Sequence, residues 1–597
     1  MRSKLLQKLV RYRAKLAISI FVVAILAYTA FSSVLNYDLD AIVDDSFSTP
    51  LNGAQPASQK GETPGQNAAN VYDSHLALVN QKEKSRRVHS FWDKVFTIFD
   101  ENDVLYKGAP QHLVEYVGDK IEGTYIKEAL LARGKMSDRV VAELKSRHEK
   151  VVKKLPDEIP EYTYDKGTKG VVFIGGDKFS WLTYLAILAL RETGSKLPVE
   201  VVMPQRNDYE RERSFCDRIL PSLGAKCLVV PDILGISAEK EKSFFAYQFK
   251  SLALVVSSFE NILLLDSDNI IISNPDVVFE SELYKQYGMI TWPDYWKRTI
   301  SPRYYEIANI AVNEQKRVRI NRFPLFEPSK SQNALRIDIG DASVPYHDLE
   351  NAVPDLSTES GQLFINKGTH GKVILLSLYY NIYGPQLFYR LFSLGEQGEG
   401  DKDTFAAAAV ALNQPYYQVN SYIQSHGYFD DEAKFQGVAM AQKHPVLDFD
   451  KFQNLIVRPF ENSGKSIPID EQVEKLNALA KESDENFGSA NDVPIFTVHC
   501  NFPKLDPVFY MSRNDLYDSV ANKLKRRLYS RMKYKKTKME GAVFRNEEVD
   551  FEYEQWLHLQ EALCVKKLEF VYFKYEDMDQ LCSFIANQVT WLALDSS

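Results

Sequence analysis

The chain has 597 residues, 45% of them hydrophobic and 25% charged, with a formal net charge of −8. That is enough apolar material for one large or two moderate cores, and the acidic balance argues against a general nucleic-acid binder. Five cysteines, Cys216, Cys227, Cys500, Cys564 and Cys582, are too few and too scattered for a disulfide scaffold or a zinc cluster.

Residues 1–15 hold six basic side chains and no acid. The uncharged, mostly apolar stretch 16–35 that follows is long enough to span a bilayer as a helix. The charge asymmetry predicts a cytoplasmic tail (1–15), a single transmembrane anchor (16–35) and a translocated remainder, a type II topology. A cleaved signal peptide is the rival, but the apolar stretch exceeds the usual signal core. Residues 36–70 are poor in large apolar side chains and read as a disordered stem. Between 71 and 167, patterns such as Leu113, Val114, Val117, Ile121 and then Val140, Val141, Leu144 predict amphipathic helices, taken together as a helical neck.

From 168 to 512 the pattern turns α/β. Gly170-Val-Val-Phe-Ile-Gly-Gly176 is a short apolar strand ending on two glycines, and a helix follows over 181–193. Strands at 197–203 and 227–230 continue the alternation, which predicts a doubly wound, mostly parallel sheet. Gly175 and Gly176 permit close backbone approach to a base or ribose, and equally suit a plain tight turn.

Asn261-Ile-Leu-Leu-Leu-Asp-Ser-Asp-Asn269 carries the most chemical information. Its apolar run reads as a buried strand, and Asp266 and Asp268 stand at its end, where sheets of this kind bind ligands. Two bare carboxylates there are costly without a neutralising cation. Oxygen ligands spaced i, i+2 suit a hard divalent ion, Mn2+ or Mg2+, bridging to a diphosphate. Asp-x-Asp also occurs at Asp38/Asp40, Asp401/Asp403, Asp448/Asp450 and Asp577/Asp579, but only Asp266 follows four consecutive apolar residues.

Beyond 512, residues 513–597 form a helical or mixed extension. Its segment 523–538 has nine Lys or Arg residues and reads as a solvated helix face with Leu524, Leu528, Tyr529 and Met532 on the buried side. By proximity in an oxidising compartment, Cys216 pairs with Cys227 and Cys564 with Cys582, leaving Cys500 free.

Taken together, Gly175-Gly-Asp-Lys178, Tyr247-Gln-Phe-Lys-Ser-Leu-Ala-Leu-Val-Val-Ser-Ser-Phe-Glu260, Leu-Leu-Leu-Asp-Ser-Asp-Asn269, Glu359-Ser-Gly-Gln-Leu-Phe-Ile-Asn-Lys367, Gly398-Glu-Gly-Asp-Lys-Asp-Thr-Phe405 and Val498-His-Cys-Asn-Phe-Pro-Lys504 resemble the fungal Golgi α-1,3-mannosyltransferase family, nucleotide-sugar glycosyltransferases of the GT-A type. The resemblance covers roughly residues 170–506. It implies a GT-A-like α/β domain and a metal held by Asp266, Asp268 and His499. Donor or acceptor contacts fall to Gly175, Gly176, Lys250, Gln362, Asn366 and Lys504, and a catalytic or sugar-hydroxyl role to Asp401 and Asp403. It also implies GDP-mannose as donor, mannose-terminated O- or N-linked glycans of glycoproteins as acceptors, α-1,3 linkage with retention, Golgi membrane residence and assembly with other Golgi transferases. Two other classes remain beside it. A lumenal glycan-binding subunit would keep the fold without turnover. Haloacid-dehalogenase-like phosphatases share the apolar strand and Asp-x-Asp, but want Gly-Thr where Asn269-Ile270 stands.

Overall fold

The structure, a computed structural model, describes residues 64–235, 244, 247–326, 344–459, 467–485, 493–540 and 543–596. The expected tail, the anchor at 16–35 and most of the stem lie outside these residues. Among the described residues no helix is long and apolar enough to cross a membrane.

The elements that position the site are strands β1 (Asp165–Ile174), β2 (Val199–Met203), β3 (Ala225–Val229), β4 (Phe259–Leu265), β5 (Asn269–Ile271), β6 (Met289–Pro293), β7 (Thr358–Asn366), β8 (Tyr417–Gln418), β9 (Gln424–Phe429), β10 (Phe435–Lys443) and β11 (Ile495–His499). Helices α1 (Pro64–Glu101), α2 (Asp138–Lys154), α3 (Ser180–Glu192), α4 (Gln248–Val256), α5 (Lys367–Ile382), α6 (Thr404–Ala411), α7 (Phe551–Leu559) and α8 (Met578–Ser596) accompany them. The main sheet has seven strands in the order β8-β6-β7-β4-β1-β2-β3. Its pairs are parallel except those of β7, which runs antiparallel to both β4 and β6. The doubly wound, mostly parallel α/β sheet expected from the strand–helix alternation is present, with this one reversed strand. A second sheet runs β9-β10-β11-β5.

The apolar run of β4 is explained by its position. Successive strand side chains point to opposite faces, and here Ile262 and Leu264 enter one core while Leu263 and Leu265 enter the other. The first core takes Trp92, Val95, Phe96 and Phe99 of α1, Val140, Val141 and Leu144 of α2, and the buried sides of α4 and α5. The second takes Trp181, Leu185 and Ile187 of α3 with Trp556, Phe584 and Ile585 of the C-terminal helices. With both faces covered, no position from Ile262 to Leu265 needs a polar residue.

Several expectations are corrected. Of the segment 71–167 expected as a neck, apolar side chains between Val88 and Tyr164 join the first core. Helix α1 begins at Pro64, inside the stretch read as disordered stem. Leu113, Val114, Val117 and Ile121 lie in no helix; Glu115–Tyr116 is a short strand paired with Gly134–Lys135. Nor is 523–538 a helix. Lys523–Leu524 and Lys533–Glu540 are strands, and Ser530 and Arg531 between them take positive φ, which no helix accommodates. Leu524, Leu528, Tyr529 and Met532 are nevertheless buried. Arg527 is drawn into the fold by Asp550, at 2.5 Å, and Asp595, at 3.1 Å. The disulfides Cys216–Cys227 and Cys564–Cys582 form and Cys500 is free and buried.

Candidate active site

The site begins where β4 runs out. Leu265 is the last buried apolar residue, and the Asp266 amide donates to the Gly361 carbonyl at 2.8 Å. Three residues later Asn269 opens β5, whose partner is β11 with His499 opposite Asn269. The Cys500 amide donates to the Asp268 carbonyl at 2.9 Å, which closes the same ladder. This pairing delivers the histidine to the aspartates. His499 Nε2 lies 3.3 Å from Asp268 Oδ1 and 3.9 Å from Asp266 Oδ2. The potential ligand atoms of all three residues fall within 4.8 Å of one another.

Residues Glu359 to Gly361 form the adjacent wall. Strand β7 pairs with β6 at Glu359–Trp292 and again at Phe364–Ile290, so four residues of β7 span what one residue of β6 spans. The bulge turns this end of β7 towards β4. Glu359 Oε1 meets His499 Nδ1 at 3.1 Å, while its Oε2 is buried with no hydrogen-bond partner. A carboxylate on Nδ1 fixes that nitrogen as the donor and leaves Nε2 facing the aspartates, the arrangement by which proteins orient a metal-ligating imidazole. Burial alone would push the His499 imidazole down; the Asp268 and Glu359 carboxylates outweigh it and hold it well above its ordinary value. Asp268 shows the complement. Burial pushes its carboxyl up, but His499 and Lys504 hold it below the usual range.

Two carboxylates and an imidazole crowded within this distance are a donor set that fits Mn2+ or Mg2+. Their own electrostatics demand positive charge, here supplied by His499, Lys504 and Lys250. Lys504 Nζ donates to Asp268 Oδ2. Lys250, on α4, lies 3.0 Å from Asp266 and 3.6 Å from Asp401, and donates to Ser360 at both its carbonyl and hydroxyl, each at 3.0 Å. Burial would lower its ammonium, and the Asp266, Asp401 and Glu359 carboxylates instead raise it. Asp401 accepts from the Ser360 hydroxyl at 3.1 Å, and burial pushes its carboxyl up to about 6 against the pull of Lys250.

Gly175 and Gly176 border the cluster. Ser267, between the two aspartates, donates to the Ile174 carbonyl at 2.5 Å, immediately before the glycine turn. A β-carbon on Gly175 would sit 2.6 Å from Val201 Cγ1, and Gly176 has φ +94°, so neither position tolerates a side chain.

Three of the residues expected at the site have their side chains engaged elsewhere. Asp403 does not face the cluster: it is locked to the fully buried Arg298 at 2.6 Å and accepts from the Thr358 amide at 2.9 Å. Gln362 is buried in the layer between the sheets, taking the Thr497 hydroxyl on its Oε1. Asn366 is opposite Asn261 at the far end of β4, four residues along β7 from Gln362. At about 3.3 Å per residue that is roughly 13 Å along the strand, and there Asn366 caps α5 through the Thr369 amide. The motif forms one strand, so its polar residues fall at opposite ends. Conversely, sequence reasoning named no role for Glu359, Ser360 or Arg298. The first two lie in the same motif as Gln362, whereas nothing around Arg298 distinguishes it from a surface arginine.

Residues 168–444 match a family model described as a mannosyltransferase. Over 515 residues the chain is 53% identical to the alpha-1,2-mannosyltransferase MNN23 of Candida albicans, covering 85% of this chain and 84% of that protein. The chain belongs to this mannosyltransferase family. It is also 41% identical over 521 residues to MNN22 of the same species, covering 84% of this chain and 85% of that one. For the alpha-1,2-mannosyltransferase MNN2 of Saccharomyces cerevisiae the identity is 36% over 548 residues, with 88% of each chain covered. Each of these relatives is an α-1,2 enzyme by name, and none supports the α-1,3 linkage. Among solved structures, galactosyltransferase LgtC aligns over 42% of this mannosyltransferase and 73% of its own chain at 11% identity, with a TM-score of 0.24 that decides nothing about the fold.

Proposed function

We propose that this mannosyltransferase transfers mannose from GDP-mannose to the 2-hydroxyl of a mannose on a glycoprotein glycan, in a GT-A-like site, forming an α-1,2 bond. The observation that supports this is the convergence of Asp266, Asp268 and His499 beside the buried Lys250 and the part-exposed Lys504 in a chain 53% identical to an α-1,2-mannosyltransferase. Those three residues would hold Mn2+ or Mg2+, and the ion would supply the charge that stabilises a leaving diphosphate. Around it, Glu359 orients His499, Lys250 adds positive charge beside Asp266, and Lys504 offers a further ammonium at the rim. Asp401 is tied to the edge of the cluster by Ser360 and Lys250. The donor is an α-linked sugar phosphate and the product is α-linked, so configuration is retained.

The same reading puts the enzyme in the Golgi membrane with residues 1–15 cytoplasmic, 16–35 spanning and the catalytic part lumenal, where other Golgi transferases are candidate assembly partners. The full-length protein in detergent, given GDP-mannose, Mn2+ and α-mannobiose, should release GDP and yield a trisaccharide. An α-1,2-specific mannosidase should remove the added sugar. Resistance to it sinks the linkage, and absence of GDP release sinks the transfer. In sealed vesicles the catalytic part should resist added protease until detergent is present; cleavage without detergent overturns the compartment.

A further inference from the structure

Beside the carboxylate cluster two aromatic rings stay open to solvent. Trp296 is 41% exposed and Tyr247 50%. Each lies against a glycine of the same turn. A β-carbon on Gly398 would sit 3.3 Å from Trp296 Cδ1, and one on Gly400 would sit 3.4 Å from Tyr247 Cε2. Residues two apart are separated by at most about 7.6 Å between α-carbons. The rings therefore flank a very short stretch of backbone, and that stretch runs straight into Asp401.

Both rings are tied to the cluster by the elements that carry them. Tyr247 precedes α4 by one residue and stands three before Lys250, so ring and ammonium share a helix face. Trp296 follows Asp294, just past the end of β6, and β6 pairs with β7 at Glu359. At the foot of the Trp296 ring, Lys402 Nζ bonds Asp294 Oδ2 at 3.0 Å, and both side chains are 11% exposed. A single exposed ring on a protein surface needs no explanation. Two rings on one glycine turn, with a nearly buried ammonium–carboxylate pair beside Trp296, form a surface for a specific class of molecule. A pyranose has apolar C–H faces that lie against an aromatic ring, and hydroxyls that donate to a carboxylate and accept from an ammonium.

We propose that Trp296 and Tyr247 are the acceptor platform, on which mannose units of the glycan chain stack, with Lys402 and Asp294 bonding their hydroxyls. This rests on the mannosyl-transfer reading given above and assigns its acceptor side. Gly398 is required there, because its φ of +79° and a Lys402 Nζ 2.6 Å from a β-carbon exclude a side chain, whereas a β-carbon at Gly400 would only touch Tyr247.

The test separates acceptor from donor. In full-length protein, Trp296→Ala should raise the KM for α-mannobiose about tenfold or more, the equivalent of one lost stacking contact, while the KM for GDP-mannose moves less than about threefold. Trp296→Phe keeps a flat ring and should stay within about threefold of wild type on both. Tyr247→Ala and Tyr247→Phe should repeat the pattern. A rise in donor KM with acceptor KM unchanged would assign the rings to the nucleotide and overturn the proposal, as would no change in either. Saturation-transfer NMR with α-mannobiose reads binding without turnover. Wild type should show transfer to the sugar and Trp296→Ala should lose most of it. If wild type binds mannobiose through Trp296 yet releases no GDP, the mannosyl-transfer reading falls and the platform stands. No saturation transfer with wild type, or undiminished transfer with both alanine variants, removes the platform alone.

Discussion

Asp268 Oδ1 and His499 Nε2 lie 3.3 Å apart because β5 and β11 share a ladder in which His499 faces Asn269. A one-residue slip in that register would turn His499 to the opposite face of the strand and dismantle the triad. The site thus depends on strand pairing as much as on side-chain identity.

Removing one ligand charge tests the metal assignment. Asp268→Asn keeps the size of the side chain and loses the charge, and losing an ion that stabilises a leaving group costs several kcal/mol of barrier, on the order of a thousandfold in rate. Retention of more than about a tenth of wild-type transfer would take Asp268 out of the metal site. His499→Ala should instead raise the Mn2+ concentration for half-maximal activity by about tenfold to a hundredfold. An unshifted Mn2+ titration would leave His499 as a structural residue.

Lys250 holds the partly exposed Asp266 at 3.0 Å and the buried Asp401 at 3.6 Å. Lys250→Met strips Asp401 of its cation and leaves Asp266 only His499, and breaking a buried pair in this way destabilises by about 3–5 kcal/mol. Added Mn2+ should recover part of the loss, because the ion neutralises Asp266. A thermal melt of Lys250→Met that Mn2+ shifts no further than it shifts wild type would argue against a metal beside Asp266.

The two aspartates of the 401–403 turn should behave differently. Asp403→Asn strips the charge partner from the fully buried Arg298 and should lower stability by about 3–5 kcal/mol. Asp401→Asn should fold and lose transfer, since its carboxyl faces Lys250 and Ser360 at the cluster's edge. Equal melting temperatures for the two variants would contradict this division.

Lys367 supplies a pH test remote from the reacting region. It is fully buried, donating to the Ser257 carbonyl at 2.6 Å, and burial pushes its ammonium down to about 7 against the pull of Glu200. Between pH 7 and the unfolded value near 10.5 the unfolded chain holds a proton that the folded chain lacks. Stability from this group therefore rises with pH across that window, and its full cost is present below pH 7. In denaturant titrations Lys367→Met should flatten the slope of stability against pH between 7 and 10. An unchanged slope would show that Lys367 titrates normally.

The sequence by itself determined what depends on local pattern. The Ile262 to Leu265 run read as a strand covered on both faces, and Asp266 and Asp268 at its end were legible as a cation-demanding pair. The glycine turn at Gly175 and Gly176, the close cysteine pairs and the resemblance to mannosyltransferases were legible for the same reason. Only the tertiary structure decided which polar residues of each motif face inward. Alternation along a strand put Glu359 against His499 while Gln362 went into the layer between the sheets, and strand length carried Asn366 to the opposite end of the sheet. Arg298 claimed Asp403 across a separation no local pattern records. Long-range pairing of buried charge is set by which surfaces the packed layers bring together, and desolvation makes that choice decisive: a buried carboxylate takes the cation the fold supplies, wherever in the chain it comes from.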